Sequence, residues 1–520
     1  DEGNMLLGIA TVARRGWPLL PSDVLYIHGA TVSYLLAPLA KLGWLDYLHP
    51  LPMRLPSALC GALAVYLTYR LARAVAGAPL PALLAAAFVA VDPLSVLWGG
   101  FARMYALLQV LTLVVVILFL RALVWLDDPA AEGRRRARPW LLGFVVAFWL
   151  AIFTQVVAAL LWPVFAVVAS VLYGRTLFTS RRGLTVALAV AALAPLAFVA
   201  LSTFVGYGSS TTRVQHGRAL GGDAGFLGDD ALDFGRLVHP ALRGLGDLFG
   251  NGWLSELAPV VVALLSGVAL GRYVLTRRAA TTADGRAVGV LVLLFWTPLA
   301  AFAFFVAEQK PRYLLNVLPF GYIVVALALG ALATFVPAHA ATLGARWAGR
   351  LVAVIVVAVL LARDASALWN MAGWGTQQTQ VGYGPALAYV AAHRGPNDWV
   401  AVGSTPEAYL VLGDDGRELA YGGVLARPGS GKGTSAAKID DWVGWPVLDS
   451  PAAICAFVRA HPGSWFVLGA NRLKSAGAAS AVTLGATTEQ FHTADGYRVL
   501  RVLPAPQWTD QARRVCASGP

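Results

Sequence analysis

The chain has 520 residues, 58% of them hydrophobic and 13% charged, with a net charge of +12. A soluble globular chain carries about 25% charged residues, so half the expected charge is missing and a soluble protein is excluded. Apolar runs of about 20 residues, the length that crosses a bilayer core, recur between Arg54 and Asp364, and the positive charge belongs to the arginine-rich cytoplasmic loops of a membrane protein rather than to a nucleic-acid surface.

The chain opens on Asp1 and Glu2, without an initiator methionine. Met5, Leu6, Ile9, Val12 and Ala13 then fall on one helical face, with Asn4, Thr11, Arg14 and Arg15 elsewhere. Gly8, Gly16 and Pro18 make the segment too short and too broken to span. It is expected to lie along the outer membrane interface. The two acids sit at its N-terminus, where the helix dipole favours an ionised carboxylate.

Ten helices follow, over 54–76, 79–98, 103–126, 140–153, 156–173, 184–205, 253–275, 287–307, 312–336 and 347–367. The fourth and fifth divide one apolar run that is too long for a single span at about 1.5 Å per residue, so a tight turn is expected near Thr154. Alternate loops hold Arg70 and Arg73, the Arg134–Arg138 cluster, Arg175 with Arg181 and Arg182, Arg272 to Arg286, and Arg346 with Arg350. The positive-inside rule makes these loops cytoplasmic. It puts residues 1–53, the 206–252 loop, "EQKPRY" and everything after about residue 368 outside. Three parts result: an outer loop with interfacial helices (1–53), a transmembrane bundle (54–367) and an extracytoplasmic domain (368–520).

The last part reads as a small α/β domain of three to five strands. "ALAYVAAHRGPNDWVAVGS" and "AAICAFVRAHPGSWFVLGA" each give helix, turn and strand, and "GYRVLRVL" adds a strand with alternating faces. "GSGKGTS" at 429–435 is not a phosphate-binding loop: Ala426 stands where that motif needs its first Gly, and Gly433 follows Lys432. Of the three cysteines, Cys60 lies in an apolar run as a packing residue. Cys455 and Cys516 either pair, in an oxidising space, or stand as two thiols. No His/Cys/Asp cluster with metal-ligand spacing appears.

Four stretches in order carry a resemblance: the opening "DEGNMLLGIATVARRGWPLLPSDVLYIHGATVSYLLAPLAKL", then "RLPSALCGALAVYLTYRLAR", "DPLSVLWGGFARMYALLQVL" and "QKPRYLLNVLPFGYIVVALAL". Together, over roughly 1–340, they resemble the GT-C type membrane glycosyltransferases that use polyprenyl-phosphate sugars, in particular the protein O-mannosyltransferase and aminoarabinose transferase group (glycosyltransferase family 39-like). The resemblance implies a polytopic GT-C bundle, with one further transmembrane helix expected ahead of the acidic pair. It implies transfer of a sugar, with inversion, from a polyprenyl-phosphate donor to an acceptor hydroxyl at the outer face of the plasma membrane. Asp1 matches the family's catalytic acid, and Glu2 is its neighbour. The leaving phosphate needs cations, for which Arg103 and Tyr105 of "FARMY" and Lys310, Arg312 and Tyr313 of "QKPRY" are the candidates, against a plain interfacial role for the same side chains. Tyr26 and His28 are weaker candidates for the sugar site. Relatives often carry Glu immediately before "ARMY"; here Phe101 and Ala102 stand there. Asp92, before Pro93, reads first as a helix stop. No cofactor is expected, and a divalent cation is left open. The rival readings are a transporter or flippase of a lipid-linked sugar, disfavoured because the helices carry their charges near their ends, and a scaffold presenting the C-terminal domain.

Overall fold

The computed structural model describes residues 2–26, 29–49, 51–127, 131–174, 177–197, 261–271, 283–305, 311–339, 343–374, 383–421, 426–428, 438–440, 442–469, 484, 487–494 and 497–517. Asp1, His28, Lys310, the 206–252 loop and the 429–435 stretch lie outside the described residues, as do parts of the spans expected at 184–205 and 253–275. The chain forms two compact units, one of residues 1–53 with 372–520 and one of residues 54–371.

Helix α1 (Glu2–Arg15) does not have the half-exposed character expected of it: Gly3 and residues 5–12 are all buried. The reason is local. A Cβ on Gly8 would stand 2.8 Å from the ring of Tyr26 and 3.3 Å from Ser33 Oγ, so glycine lets Tyr26 and helix α2 (Ala30–Lys41) close over this face. Thr11 donates its hydroxyl to the Gly8 carbonyl at 2.9 Å, which satisfies inside the unit a polar group that the apolar-stripe argument assigned to water. The exposed apolar side chains fall on α2 instead, at Tyr34 and Leu35.

The second unit is helical. Helix α3 (Leu51–Ala76) is followed by α4 (Pro79–Val91) and α5 (Pro93–Gly99), which divide the stretch expected as one span over 79–98. The two are bent by 59°, because Pro93 cannot continue the ladder and Asp92 caps α5 by accepting from Ser95 N at 2.6 Å. Helices α6 (Tyr105–Asp127) and α7 (Ala131–Thr154) pack together. At Gln155, beside the expected turn, the chain breaks into a 3₁₀ segment, Val156–Leu161, before α8 (Trp162–Tyr173) and α9 (Arg181–Ala191). A helical stretch Val261–Gly271, α10 (Ala283–Phe305), a 3₁₀ turn Pro311–Leu314, α11 (Leu318–His339) and α12 (Leu343–Trp374) complete the described bundle. The Phe165 ring lies 4.9 Å from Phe119, 5.0 Å from Phe144 and 5.7 Å from Phe148, which locks α8 to α6 and α7 through edge-on contacts. Among the described helices three are long and apolar enough to cross a bilayer, or four if α4 and α5 form one broken span. The chain is a multi-pass membrane protein.

The C-terminal part of the first unit is an α/β sandwich. Its elements are α13 (Gly384–His393), β1 (Val400–Val402), α14 (Thr405–Leu412), β2 (Glu418–Tyr421), β3 (Ala426–Pro428), β4 (Lys438–Asp440), β5 (Val447–Leu448), α15 (Pro451–Ala460), β6 (Trp465–Gly469), β7 (Thr488–Ala494), β8 (Tyr497–Val502) and α16 (Asp510–Ala517). The six-stranded sheet runs β5-β2-β1-β6-β8-β7, with β3 and β4 as a separate ribbon. β5, β2, β1 and β6 are parallel, and β8 is antiparallel to both β6 and β7. This exceeds the three to five strands expected, because β5 is two residues long and β7, "TEQFHTA", is largely polar. Neither carries the apolar signal by which strands are read. One face of the sheet packs Phe457 and Trp508 against Phe466, and the other carries Val400, Val402 and Trp465 under Leu387 and Val390 of α13.

Cys455 and Cys516 form a disulfide between α15 and α16. With a sequence separation of 61, the bridge is worth about 2–4 kcal/mol in the loop-entropy account. Replacing both by serine is expected to lower the melting temperature of the purified protein and to expose α16 to limited proteolysis. An unchanged melting curve and cleavage pattern would mean that the bridge does not hold this helix.

Candidate functional site

In the membrane unit, the "FARMY" and "QKPRY" stretches come together. Between α5 and α6 the chain turns tightly: Arg103 N donates to the Phe101 carbonyl at 2.8 Å, and Ser57 of α3 donates its hydroxyl to the Arg103 carbonyl at 3.2 Å. The turn leaves Arg103 buried at 7% exposure, with its guanidinium carbon 5.9 Å from the Tyr105 ring centre. Across from it, the 3₁₀ turn after "QK" presents Arg312 5.4 Å from the ring of Trp98 and 5.5 Å from that of Tyr313. Trp98 stands edge-on to Tyr105 at 4.8 Å, and Tyr105 lies 6.5 Å from Tyr313. Two guanidinium groups and three rings thus share one patch. The aromatic faces supply part of what a buried cation loses in leaving water. The absent Glu before "ARMY" is answered by Phe101, whose ring receives Arg54 at 5.6 Å.

Two further contacts pin this patch, and neither was among the residues singled out from the sequence. Gln109, buried one turn along α6 from Tyr105, donates to the Leu315 carbonyl at 3.2 Å and to Ser95 Oγ at 3.4 Å. It therefore joins α6 to the turn carrying Arg312 and to α5. Tyr322 of α11 donates its hydroxyl to Asp92 Oδ1 at 2.8 Å. Asp92, at 3% exposure, is a helix cap and an anchor for α11. Asn316, beside Leu315, is also buried, and its Oδ1 accepts no hydrogen bond among the described residues. Such an atom costs about 1–3 kcal/mol unless something meets it.

The acidic pair belongs to the other unit. Glu2 begins α1, and around this terminus stand Glu407 of α14, Tyr47, Tyr383 and Tyr497. Burial and the neighbouring carboxylates Glu407 and Glu2 push the Tyr47 hydroxyl well above the usual phenol range, and burial with Glu407 raises Tyr497. Both phenols are therefore un-ionised donors at neutral pH. Tyr26 is elsewhere: it is buried against Gly8, 5.6 Å from the Trp442 ring, in a packing role. Among the described residues no group of three His, Cys, Asp or Glu side chains stands as a metal's ligand set would.

No family model and no curated protein matches the chain in sequence. In structure it is similar to ArnT from Cupriavidus metallidurans in the apo state, at 14% identity, with 98% of this chain and 94% of that chain covered and a TM-score of 0.52. The chain has the GT-C fold. ArnT bound to undecaprenyl phosphate aligns at 13% identity over 98% of this chain and 95% of that one, with a TM-score of 0.50. The oligosaccharyltransferase AglB from Archaeoglobus fulgidus, in complex with an inhibitory peptide and a dolichol-phosphate, aligns at 12% identity over 96% and 70%, with a TM-score of 0.47. The GT-C fold bears out the polytopic bundle with a C-terminal α/β domain expected from the sequence.

Within this fold Gln109 is expected to hold the two motifs in register. Gln109→Leu removes a donor from a buried carbonyl and should destabilise the detergent-solubilised protein by about 1 kcal/mol, read as a lowered melting temperature. An unchanged melt would remove Gln109 from that role.

Proposed function

We propose that the protein is a glycosyltransferase that moves a sugar from a polyprenyl-phosphate donor to an acceptor hydroxyl on the extracytoplasmic face of the membrane, with inversion. The observation that carries the reading is the pair Arg103 and Arg312, set on Trp98, Tyr105 and Tyr313 between helices of a membrane bundle. A buried arginine such as Arg103 is expensive in such a setting, and together with the half-buried Arg312 on the same ring cluster it suits a phosphate, which a guanidinium meets with paired hydrogen bonds. The undecaprenyl phosphate bound by ArnT, a protein of the same fold, supports a polyprenyl carrier. The Cys455–Cys516 disulfide supports an oxidising compartment for the C-terminal domain, in agreement with the arginine distribution of the loops.

In the chemistry proposed, the acceptor oxygen attacks the anomeric carbon as the carbon–oxygen bond to the phosphate breaks. The bonding pair leaves with the polyprenyl phosphate, whose charge Arg103, Arg312 and Lys310 stabilise, with Tyr105 and Tyr313 beside them. The acceptor proton passes to the Asp1 carboxylate, and Glu2 orients the acceptor or sugar beside it. No step needs a cofactor, and a divalent cation would add to the phosphate's counter-charge without changing these roles.

Two substitutions test this with membranes given a panel of radiolabelled polyprenyl-phosphate sugars. Asp1→Asn is expected to reduce transfer by about 10²-fold or more while undecaprenyl phosphate binding is kept; full activity would rule Asp1 out as the base. Arg103→Ala is expected to weaken use of the lipid donor by about tenfold or more, the loss of one charge-assisted contact. A donor dependence equal to that of the unaltered protein would remove Arg103 from the phosphate site.

A further inference from the structure

In an open parallel sheet, ligands bind in the crevice outside the carboxyl ends of the strands, where the strand order reverses. Here that point lies between β1 and β6. The chain leaves β1 through α14 toward β2 on one side, while β6, reached through α15 from β5, lies on the other. The residues around the crevice are those found about the acidic terminus. Ser404 and Glu407 follow β1 and Gly469 ends β6. Tyr497 of β8 pairs with Gly469, and the ring of Tyr383 lies tilted against that of Tyr497 at 4.3 Å. What faces Glu407 is the first turn of α1. A Cβ on Gly3 would lie 2.6 Å from Glu407 Cγ and 2.7 Å from its Oε1, so only glycine admits the carboxylate against this backbone. Glu407 is 6% exposed and is held by a short hydrogen bond from Ser404 Oγ.

We infer that the C-terminal domain uses its switch-point crevice to hold the start of α1, and that Glu407 is the positioning residue for the acidic pair. This rests on the proposed role of Asp1 and deepens it. A buried carboxylate at a helix N-terminus favours the helix there, so it fixes where α1 begins and hence where Glu2 stands. The titratable groups that face Glu407 are Tyr47 from the segment before α3 and Tyr497 on β8, and Glu2 on α1 and Tyr383 ahead of α13 stand near that same Tyr47. Asp440 of β4, which accepts from Thr405 Oγ1 at 2.8 Å, stands at the start of the same helix.

Glu407→Gln keeps the side-chain volume and an acceptor for Ser404 but removes the charge. In the whole membrane protein it is expected to lower kcat for sugar transfer by about tenfold. Amide exchange over residues 3–8 should rise. Binding of undecaprenyl phosphate and the melting temperature should stay as they were. A variant that folds with unchanged kcat overturns the inference, whatever the exchange shows. Should Glu407→Gln not fold, Ser404→Ala, which only loosens the carboxylate, is held to the same expected and overturning results. If Asp1→Asn retains full activity, the reading of Asp1 has failed. If Asp1→Asn is inactive while Glu407→Gln behaves as the unaltered protein, only the positioning role has.

Discussion

Holding guanidinium charge inside an apolar bundle is the constraint to which the rest of the membrane unit answers. A lone buried cation would lose far more solvation than a domain can spare. Arg103 and Arg312 are tolerated because each has an aromatic face within 6 Å and because the backbone beneath them is tied down. Ser57 holds the Arg103 carbonyl, Gln109 holds the Leu315 carbonyl, and Asp92 stops α4, caps α5 and receives Tyr322. The 59° bend at Asp92–Pro93 is part of the same arrangement. It leaves α5 as a short helix ending at Gly99, with Trp98 on its last turn to meet Tyr105 edge-on and to face Arg312.

Much of this was legible in the sequence, for reasons that differ by residue. Apolar runs between arginine loops report membrane spans directly, since bilayer thickness sets their length. "FARMY" and "QKPRY" could be set together only through the resemblance, because nothing local links residues separated by about 200 positions in a contact that α5, α6 and the 3₁₀ turn create. Trp98, Gln109 and Tyr322 were passed over because an aromatic or an amide in an apolar run reads as packing. Their roles exist only through partners far along the chain. The burial of α1 was illegible for a related reason. Periodicity reports one face, whereas Gly8 and the back-bonded Thr11 make a second face acceptable to protein, and that depends on where Tyr26 and α2 fall.

The C-terminal domain shows the limits of strand reading in the same terms. β1 and β6, buried along their whole length, were read from continuous apolar runs, and β8 from alternation. β2, "ELAY", begins with Glu418, an unpromising residue for a buried strand. It is buried there because Arg394 meets it at 2.9 Å and also reaches Asp415 at 3.4 Å. Even so, burial holds the Glu418 carboxyl above its ordinary range, with desolvation outweighing the pairing. Removing Arg394 would strand that charge, which is why a buried pair of this kind specifies a strand position more than it stabilises one.

The two constellations solve opposite electrostatic problems within one chain. The bundle holds positive charge among apolar helices, and it does so with aromatic faces and tethered backbone; in the proposed reading that charge meets the phosphate of the lipid donor. The first unit gathers negative charge at the start of a helix: Glu407, held by Ser404 and packed against the backbone of Gly3, lies near Glu2 and beside the un-ionised Tyr47 and Tyr497. In the proposed reading that acidic terminus receives the acceptor proton. An arginine at Glu407's position would instead pair with the acids, so the sign of the charge in the crevice matters as much as its fit.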